Sequence, residues 1–249
     1  MQQAGGKRQS IAMQSITCAD LIHVSKIVIL ESCCIVSYYP DRQMQSCFIY
    51  PLLCVLLGLQ AVTVRGLLRT MADTDREKWD SRYVANLGGA EPSTILTDYW
   101  NLASCGNALD IACGNGRNSL FLAKMGFMVD AVDISTVATN YLAGSDPKIN
   151  VICQDIDDWT IPRNRYQLIV NIRFLDRRLF PLIKDGLRPG GVLIFESFID
   201  KKKNEYCLKQ NELLHAFQSL HIVYYEEKKS DCSEKFDETV ALVAIKKGL

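Results

Sequence analysis

Two glycines and an aspartate are the first residues in this sequence whose types and spacing could do chemistry. Gly114 and Gly116 end the apolar run "NALDIAC", and Asp110 lies inside that run, four residues before Gly114. Glycines in such a turn let the backbone approach a ligand closely. A carboxylate is costly to bury unless it is hydrogen-bonded or paired. We therefore expect Asp110 to meet a cationic group of a ligand, or the loop amides that hold such a group.

A second carboxylate, Asp133, ends the next apolar run, 17 residues after Gly116. A carboxylate at this place can accept hydrogen bonds from ribose hydroxyls, so both S-adenosylmethionine and NAD fit. Ser119 stands where the dinucleotide fingerprint has its third small residue, which weakens the match to NAD. Because Asp110 would repel a pyrophosphate and attract the methionine ammonium, charge favours S-adenosylmethionine.

Alternating strand and helix patterns must position these residues. Helix patterns follow at "NSLFLAKM", ending at Gly126, at "STVATNYLAG", opening on the N-cap Ser135, at "DRRLFPLIKDGL" and near 211–220. Strand patterns are "NALDIAC", "FMVDAVD", "NVICQD", "YQLIVN" and "GVLIFESF", then "HIVYYEE" and "ETVALVAI", two runs typical of a hairpin. This order predicts an α/β fold: a doubly wound, Rossmann-like, mostly parallel seven-stranded sheet with a C-terminal antiparallel hairpin and helices on both faces.

Composition narrows the classes of partner. The chain has 249 residues, 48% of them hydrophobic, with 28 basic and 28 acidic side chains. Without a clustered basic excess we expect no nucleic-acid surface. The 10 cysteines and three histidines show no paired metal-ligand spacing, so we expect no metal site, and reduced thiols predict a cytoplasmic protein.

The first 70 residues differ in character from the rest. They hold five of the 10 cysteines among irregular apolar patches such as "IVILESCCIVSYY" and "FIYPLLCVLLGLQAVTV". Three interpretations stay open: a translated stretch ahead of a true start at Met71, a membrane anchor, or a small accessory domain. We favour the first, because "MADTDREKWDSRY" leads directly into a helix pattern. The domain of interest is thus 71–249, and we expect no membrane partner unless residues 1–70 are real and anchor the chain.

Several segments together resemble a known family. "LDIACGNGRNSLFLAKMGFMVDAVDIS", "QDIDDW", "LDRRLFPLIKDGLRPGGVLIFESF" and the terminal hairpin are similar to class I S-adenosylmethionine-dependent methyltransferases, in particular the tellurite-resistance methyltransferase group. The resemblance covers about Asp75 to Lys246 and implies a seven-stranded sheet with a reversed final strand. It also implies S-adenosyl-L-methionine as cofactor.

The resemblance implies a role for each matching residue. Around the methionine portion it places Asp110, Cys113, Gly114 and Gly116. Asp133 would hold the ribose, with Ile134, Asp155 and Ile156 around the adenine. Asn171 would face the site of methyl transfer. The "REKWDSRY" helix would close over the cofactor, with Trp79, Arg82 and Tyr83 as contacts, although an amphipathic helix packing its aromatics into the core explains the pattern equally well.

Residues after the fourth and fifth strands are candidates for the acceptor side. Asn171, Arg173 and Glu196 are our candidate catalytic residues. Arg173 with Asp176 and Arg177 could steer an anionic acceptor, or the three could be ordinary surface charges in the first turn of the next helix. Methyl transfer from a sulfonium requires mainly alignment and exclusion of water. The sequence thus predicts a methyltransferase for a small-molecule acceptor such as a thiol or chalcogen oxyanion. A nicotinamide-dependent oxidoreductase and a non-catalytic S-adenosylmethionine-binding module are the alternatives.

Overall fold

The computed structural model describes residues 73–85, 91–199, 207–229 and 238–248. Residues 73–85 are helical and are called α1. The other helices are α2 (Thr94–Tyr99), followed by a 3-10 turn (Trp100–Leu102), α3 (Arg117–Lys124), α4 (Thr136–Leu142), α5 (Leu179–Gly186) and α6 (Glu212–Phe217). The strands are β1 (Asn107–Ile111), β2 (Met128–Asp133), β3 (Ile149–Cys153), β4 (Tyr166–Ile172), β5 (Leu187–Ile199), β6 (His221–Lys229) and β7 (Glu238–Ile245).

These strands form one seven-stranded sheet in the order β3-β2-β1-β4-β5-β7-β6. Strands β1 to β5 pair in parallel, whereas β7 runs antiparallel to both β5 and β6. The predicted fold class, with its reversed final strand, is confirmed. Because the strand order turns back between β1 and β4, the carboxyl ends of these two strands border the crevice in which such sheets bind ligands.

Helices cover both faces of the sheet. One apolar cluster packs α2, α3 and α4 against the sheet through side chains such as Leu96, Leu122 and Leu142. The other packs α5 and α6 on the opposite face through side chains such as Ile183 and Phe217. Because the central strands are buried on both faces, their sequences are almost continuous apolar runs. A polar residue within such a run is therefore a candidate functional residue.

Local signals in the sequence set most of the element ends. Gly126 adopts a left-handed conformation (φ 100°) just after α3, and the Ser135 hydroxyl caps α4 by accepting a hydrogen bond from the Ala138 amide (3.1 Å). Among the ends that differ from the prediction, two have a clear physical cause. Strand β1 stops at Ile111 because Ala112 is left-handed (φ 53°). Helix α5 starts only at Leu179, after a turn in which Asp176 accepts from the Arg178 amide (2.9 Å).

The predictions for residues 1–70 lie outside the described residues. In the part of the chain that the structure describes, no helix is both long and apolar enough to cross a bilayer. The same part contains no group of three or more His, Cys, Asp or Glu side chains that could hold a metal ion. Among the described cysteines, Cys105, Cys113 and Cys153 carry free thiols.

Candidate active site

The turn between β1 and α3 bends through three left-handed residues. Their φ angles are 53° at Ala112, 57° at Gly114 and 82° at Gly116. A non-glycine residue in this conformation is strained, and such residues concentrate at functional sites. A Cβ atom on Gly114 would overlap the Tyr83 hydroxyl, and one on Gly116 would overlap the Leu142 side chain. Glycine is thus needed at both positions, once for contact with α1 and once for the packing of α4.

Asp110 is buried beside this turn, with 1% of its surface exposed. The Ser119 hydroxyl donates a hydrogen bond to its carboxylate (2.6 Å). Burial raises the pKa of Asp110 to about 7, and the Ser119 hydrogen bond opposes that rise. Within the described residues no lysine or arginine forms an ion pair with it. The charge of Arg117 opposes the rise as well, but in the described part of the chain Asp110 has no cation within ion-pair distance to stabilise its charged form.

Ser119 is a residue that sequence reasoning missed. It lies on the first turn of α3, at the third position of the glycine fingerprint, and its side chain is fully buried. We treated it only as a departure from the dinucleotide pattern. The available signal was a hydroxyl on the first turn of the helix that follows a strand with a buried acid.

Asp133 is fixed by two backbone amides at the end of β2. Its carboxylate accepts hydrogen bonds from the Gly114 amide (2.8 Å) and the Ser135 amide (2.9 Å). Burial raises the pKa of Asp133, and these amide bonds oppose the rise. Asp133 thus connects the glycine turn to the loop after β2. Each oxygen keeps a further lone pair for another donor, because a carboxylate oxygen can accept two hydrogen bonds.

Helix α1 lies against the glycine turn and the loop after β2. Tyr83 is partly buried at Gly114, as the overlap above shows, and burial raises the pKa of its hydroxyl well above the usual range. Trp79 is 36% exposed, and its ring centroid lies 6.2 Å from that of Tyr83. The Arg82 guanidinium lies over the Trp79 ring, 4.7 Å from its centroid. The aromatic residues of α1 are therefore not packed into the core, and only Tyr83 reaches the turn.

The loops after β2 and β3 carry the residues that the resemblance places around adenine. Ile134 is partly buried next to Asp133. Ile156 packs against the apolar cluster on the α5 and α6 face. Asp155 uses one carboxylate oxygen to accept from the Asp157 amide (3.0 Å), which stabilises the turn after β3. The structure does not connect Asp155 by hydrogen bonds to Asp110 or Asp133.

Asn171 is a fully buried amide without a partner. It lies near the end of β4, in register with Ile111 on β1 and Phe195 on β5. Among the described residues, neither its amide nitrogen nor its amide oxygen has a hydrogen bond. A buried polar group left unsatisfied costs ~1–3 kcal/mol. Such a group next to a strained turn is typical of a site that a ligand completes.

Arg173 and Glu196 form a pair where β4 and β5 end. Arg173 is left-handed (φ 61°), its amide donates to the Glu196 carbonyl (2.7 Å), and its guanidinium lies 3.5 Å from the Glu196 carboxylate. The Ser93 hydroxyl donates to the other carboxylate oxygen (3.4 Å). Arg117 is a further cation near this pair, since burial and then the charge of Arg173 lower its pKa.

This pair lines a cleft of about 450 Å³ between α2 and strands β5, β6 and β7. The charged residues of the cleft are Arg117, Arg173 and Lys228 with Glu91, Asp98, Glu196 and Glu226. Because positive and negative side chains both line the cleft, its electric field is not uniform and would not select anions alone. It offers separate positions for positive and negative groups.

Asp176 and Arg177, two of the three candidates for steering an acceptor, do not line this cleft. The Arg177 guanidinium pairs with Glu212 (2.5 Å) and donates to the Cys207 carbonyl (2.8 Å), which ties α6 to the loop after β4. Asp176 pairs with Arg178 (2.7 Å). Both side chains are used to hold loops together, so of the three only Arg173 reaches the cleft.

Cys113 lies inside the glycine turn and is buried, with 5% of its surface exposed. Burial, followed by the negative charge of Asp110, raises the pKa of its thiol well above the usual range. A neutral, buried thiol is a poor nucleophile. Cys113 therefore lines the glycine turn and is not a candidate nucleophile.

Comparison with known proteins agrees with this geometry. Residues 108–191 match the family model of a methyltransferase domain. The ubiquinone biosynthesis O-methyltransferase of Coxiella burnetii is 35% identical over 100 residues, 36% of this chain and 43% of that protein. The ribosomal protein L11 methyltransferase of Campylobacter fetus is 29% identical over 135 residues, 52% of this chain and 46% of that protein. The chain thus spans less than half the length of these relatives.

Among solved structures, the chain is similar in fold to TehB from Haemophilus influenzae. The two share 21% identity at a TM-score of 0.56, over 68% of this chain and 67% of TehB. The residues described above also fit a cofactor with a cationic end, because among the described residues Asp110 is buried without an ion-pair partner and Asn171 without a hydrogen bond. The domain match, the fold and this site together support a class I S-adenosylmethionine-dependent methyltransferase domain.

Proposed function

We propose that this chain transfers the methyl group of S-adenosylmethionine to a small-molecule acceptor. The observation that carries the proposal is Asp110, a buried carboxylate beside a left-handed glycine turn that has no ion pair with any described lysine or arginine. An amino-acid ammonium on a nucleoside ligand would supply that missing charge. NAD has no such group and would bring a pyrophosphate toward the same acid.

The residues that would hold the cofactor lie at the ends of β1, β2 and β4. Asp110 would face the methionine ammonium, and the backbone of the glycine turn would approach the methionine portion. Asp133, already oriented by the Gly114 and Ser135 amides, would use its remaining lone pairs for the ribose hydroxyls. Asn171 would find its hydrogen-bond partners on the ligand or the acceptor. Ile134, Asp155 and Ile156 would border the adenine.

When bound, S-adenosylmethionine supplies a methyl group on a positively charged sulfur, which is already a good leaving group. The chain's own residues then have to align the acceptor and exclude water. Tyr83 lies over the turn at Gly114, where it would shield the methionine portion from solvent. Asn171 is buried deeply enough to orient a reacting atom without admitting bulk water.

The acceptor is proposed to enter through the cleft that Arg173 and Glu196 line. Arg173 is held by two contacts to Glu196, one from its backbone and one from its guanidinium. A guanidinium so fixed would orient an anionic acceptor, and Glu196 would accept a proton or a hydrogen bond from a protonated one. Both are therefore proposed as catalytic residues together with Asn171.

The finer identity of the acceptor follows from the resemblance alone. Resemblance to the tellurite-resistance methyltransferase group favours thiols and chalcogen oxyanions as acceptors. The names of the two curated relatives point instead to an oxygen acceptor and a ribosomal protein. The free thiols of the described residues support the further proposal of a cytoplasmic location.

Calorimetry with S-adenosylmethionine, S-adenosylhomocysteine and NAD tests the cofactor. The proposal requires binding of the first two, and binding of NAD alone would refute it in favour of an oxidoreductase. Transfer from labelled cofactor to thiols, selenite, tellurite, phenols and ribosomal protein then tests the reaction. Cofactor binding without transfer to any acceptor, including a cell extract of metabolites, would favour a non-catalytic binding module. An Asn171→Leu variant is the matched negative control for transfer.

A further inference from the structure

One carboxylate attaches helix α1 to the end of the loop after β2 and the start of α4. Asp80 accepts hydrogen bonds from the Ser135 hydroxyl (2.5 Å), the Thr136 hydroxyl (2.7 Å) and the Val137 amide (3.2 Å). These three donors are consecutive in the chain, and they begin two residues after Asp133. Ser135 is the N-cap of α4, and Thr136 and Val137 are its first two residues. A carboxylate with three donors at one helix start is a strong local attachment, since hydrogen bonds to charged groups are about twice as strong as neutral ones.

A second contact of α1 lies on the same helix face. Arg76 comes one helical turn before Asp80, and its Nε donates to the Ile134 carbonyl (3.2 Å). Tyr83 follows Asp80 by three residues, so all three side chains share one face of the helix. Arg76 and Asp80 contact the loop after β2, whereas Tyr83 reaches Gly114 on the turn after β1. The helix thus bridges two loops that the proposed cofactor would contact.

Apolar packing contributes little to this attachment. Most residues of α1 are exposed, including Trp79 and Val84 at 36% and 69%. The two apolar core clusters of the described residues contain no residue of α1. A helix without an apolar contact face is held by its polar contacts, so their removal would release α1 and leave the sheet intact.

We propose that Asp80 is a positioning residue that docks α1 on the start of α4, directly after the loop that follows β2, and thereby sets Tyr83 over the glycine turn. The inference rests on the proposed function, since it assigns α1 to the cofactor site. Only the docked population would present the complete site. The apparent affinity for S-adenosylhomocysteine would then fall with the docked fraction, because the ligand has to supply the docking free energy itself.

The test compares Asp80→Ala, Asp80→Asn and Asp75→Ala in the full chain. Asp75 is the matched control, since it lies on the same helix and its ion pair is with the exposed Lys78 at 4.0 Å. Hydrogen exchange of the 73–85 amides reports docking without any ligand. Calorimetry with S-adenosylhomocysteine reports the effect on the site.

For Asp80→Ala we expect faster exchange confined to 73–85, an unchanged melting temperature of the sheet, and affinity for S-adenosylhomocysteine lowered about tenfold. Asp80→Asn keeps an acceptor oxygen and is expected to lie between Asp80→Ala and the wild type, while Asp75→Ala behaves as wild type. Unchanged exchange in Asp80→Ala, faster exchange across the whole sheet, or faster exchange with unchanged affinity would each overturn the inference. Absence of binding by the wild-type chain would refute the proposed function, and the exchange data would still decide the docking role of Asp80.

Discussion

Replacing Asp110 by asparagine separates the two roles of this side chain. The buried carboxylate destabilises the protein without a ligand, because its charged form has lost its hydration. The same carboxylate is proposed to bind the ammonium of the cofactor. Asp110→Asn removes the charge and keeps an oxygen for the Ser119 hydroxyl. It should therefore stabilise the ligand-free protein and weaken binding of the cofactor.

The magnitude follows from the pKa of Asp110, which burial raises from 3.8 to about 7. Between these two values the folded state binds a proton that the unfolded state has lost, so stability falls as the pH rises through this window and levels off above it. One pH unit in this window corresponds to ~1.4 kcal/mol. The free energy of unfolding of the wild type should therefore fall by ~2.5 kcal/mol between pH 5 and pH 8, and that of Asp110→Asn should not show this fall.

Thermal unfolding of both proteins without ligand at pH 5 and pH 8 measures this difference. For a domain of this size ~2.5 kcal/mol corresponds to about 5–10 °C in the relative melting temperatures. Asp133 also has a raised pKa and is present in both proteins, so only the repulsion between its charge and that of Asp110 enters the comparison. Equal pH dependence of the two proteins would show that Asp110 is not a buried, unpaired acid.

Binding gives the opposite dependence on pH. The ammonium of S-adenosylhomocysteine would prefer the charged carboxylate, so the affinity of the wild type should fall about tenfold between pH 8 and pH 6 as Asp110 takes up its proton. Asp110→Asn should bind more weakly at pH 8 and show no such fall. Asp110→Ala should abolish binding and leave a folded protein. Unchanged affinity in either variant would refute the assignment of the cofactor site.

Three further predictions test other parts of the site. Gly116→Ala forces a Cβ atom into the Leu142 side chain at a left-handed position, so urea unfolding should show a loss of at least ~1–3 kcal/mol, and a stable variant would contradict the packing described. Asn171→Leu replaces an unpartnered amide with an apolar side chain of similar size; it should keep or raise the melting temperature while methyl transfer is lost, and a marked fall in stability would mean that the amide has a structural partner. Native alkylation should modify the exposed Cys105 and spare the buried Cys113, as peptide mass spectrometry would show; rapid labelling of Cys113 would contradict its burial.

Sequence patterns predicted the strands well because the central strands are buried on both faces. Strand β7 coincides with the predicted run "ETVALVAI", and the capping of α4 by Ser135 was predicted from its position alone. The predictions failed where polar contacts replace helix or strand hydrogen bonds. Helix α5 starts three residues late because Asp176 stabilises a turn there. Arg177, for which the sequence left open a role in steering an acceptor, pairs with Glu212, 35 residues away.

The sequence by itself determined the parallel sheet, its C-terminal antiparallel hairpin and the position of the glycine turn, because these follow from local periodicity and from backbone angles that glycine permits. It also singled out Asp110, since an acid inside an apolar run is conspicuous. The tertiary structure alone decided which side chains meet: Ser119 with Asp110, Arg173 with Glu196, and Asp80 with the loop after β2. Such contacts join residues distant in the chain, and their geometry depends on how helices and loops pack around the sheet, which local patterns do not encode.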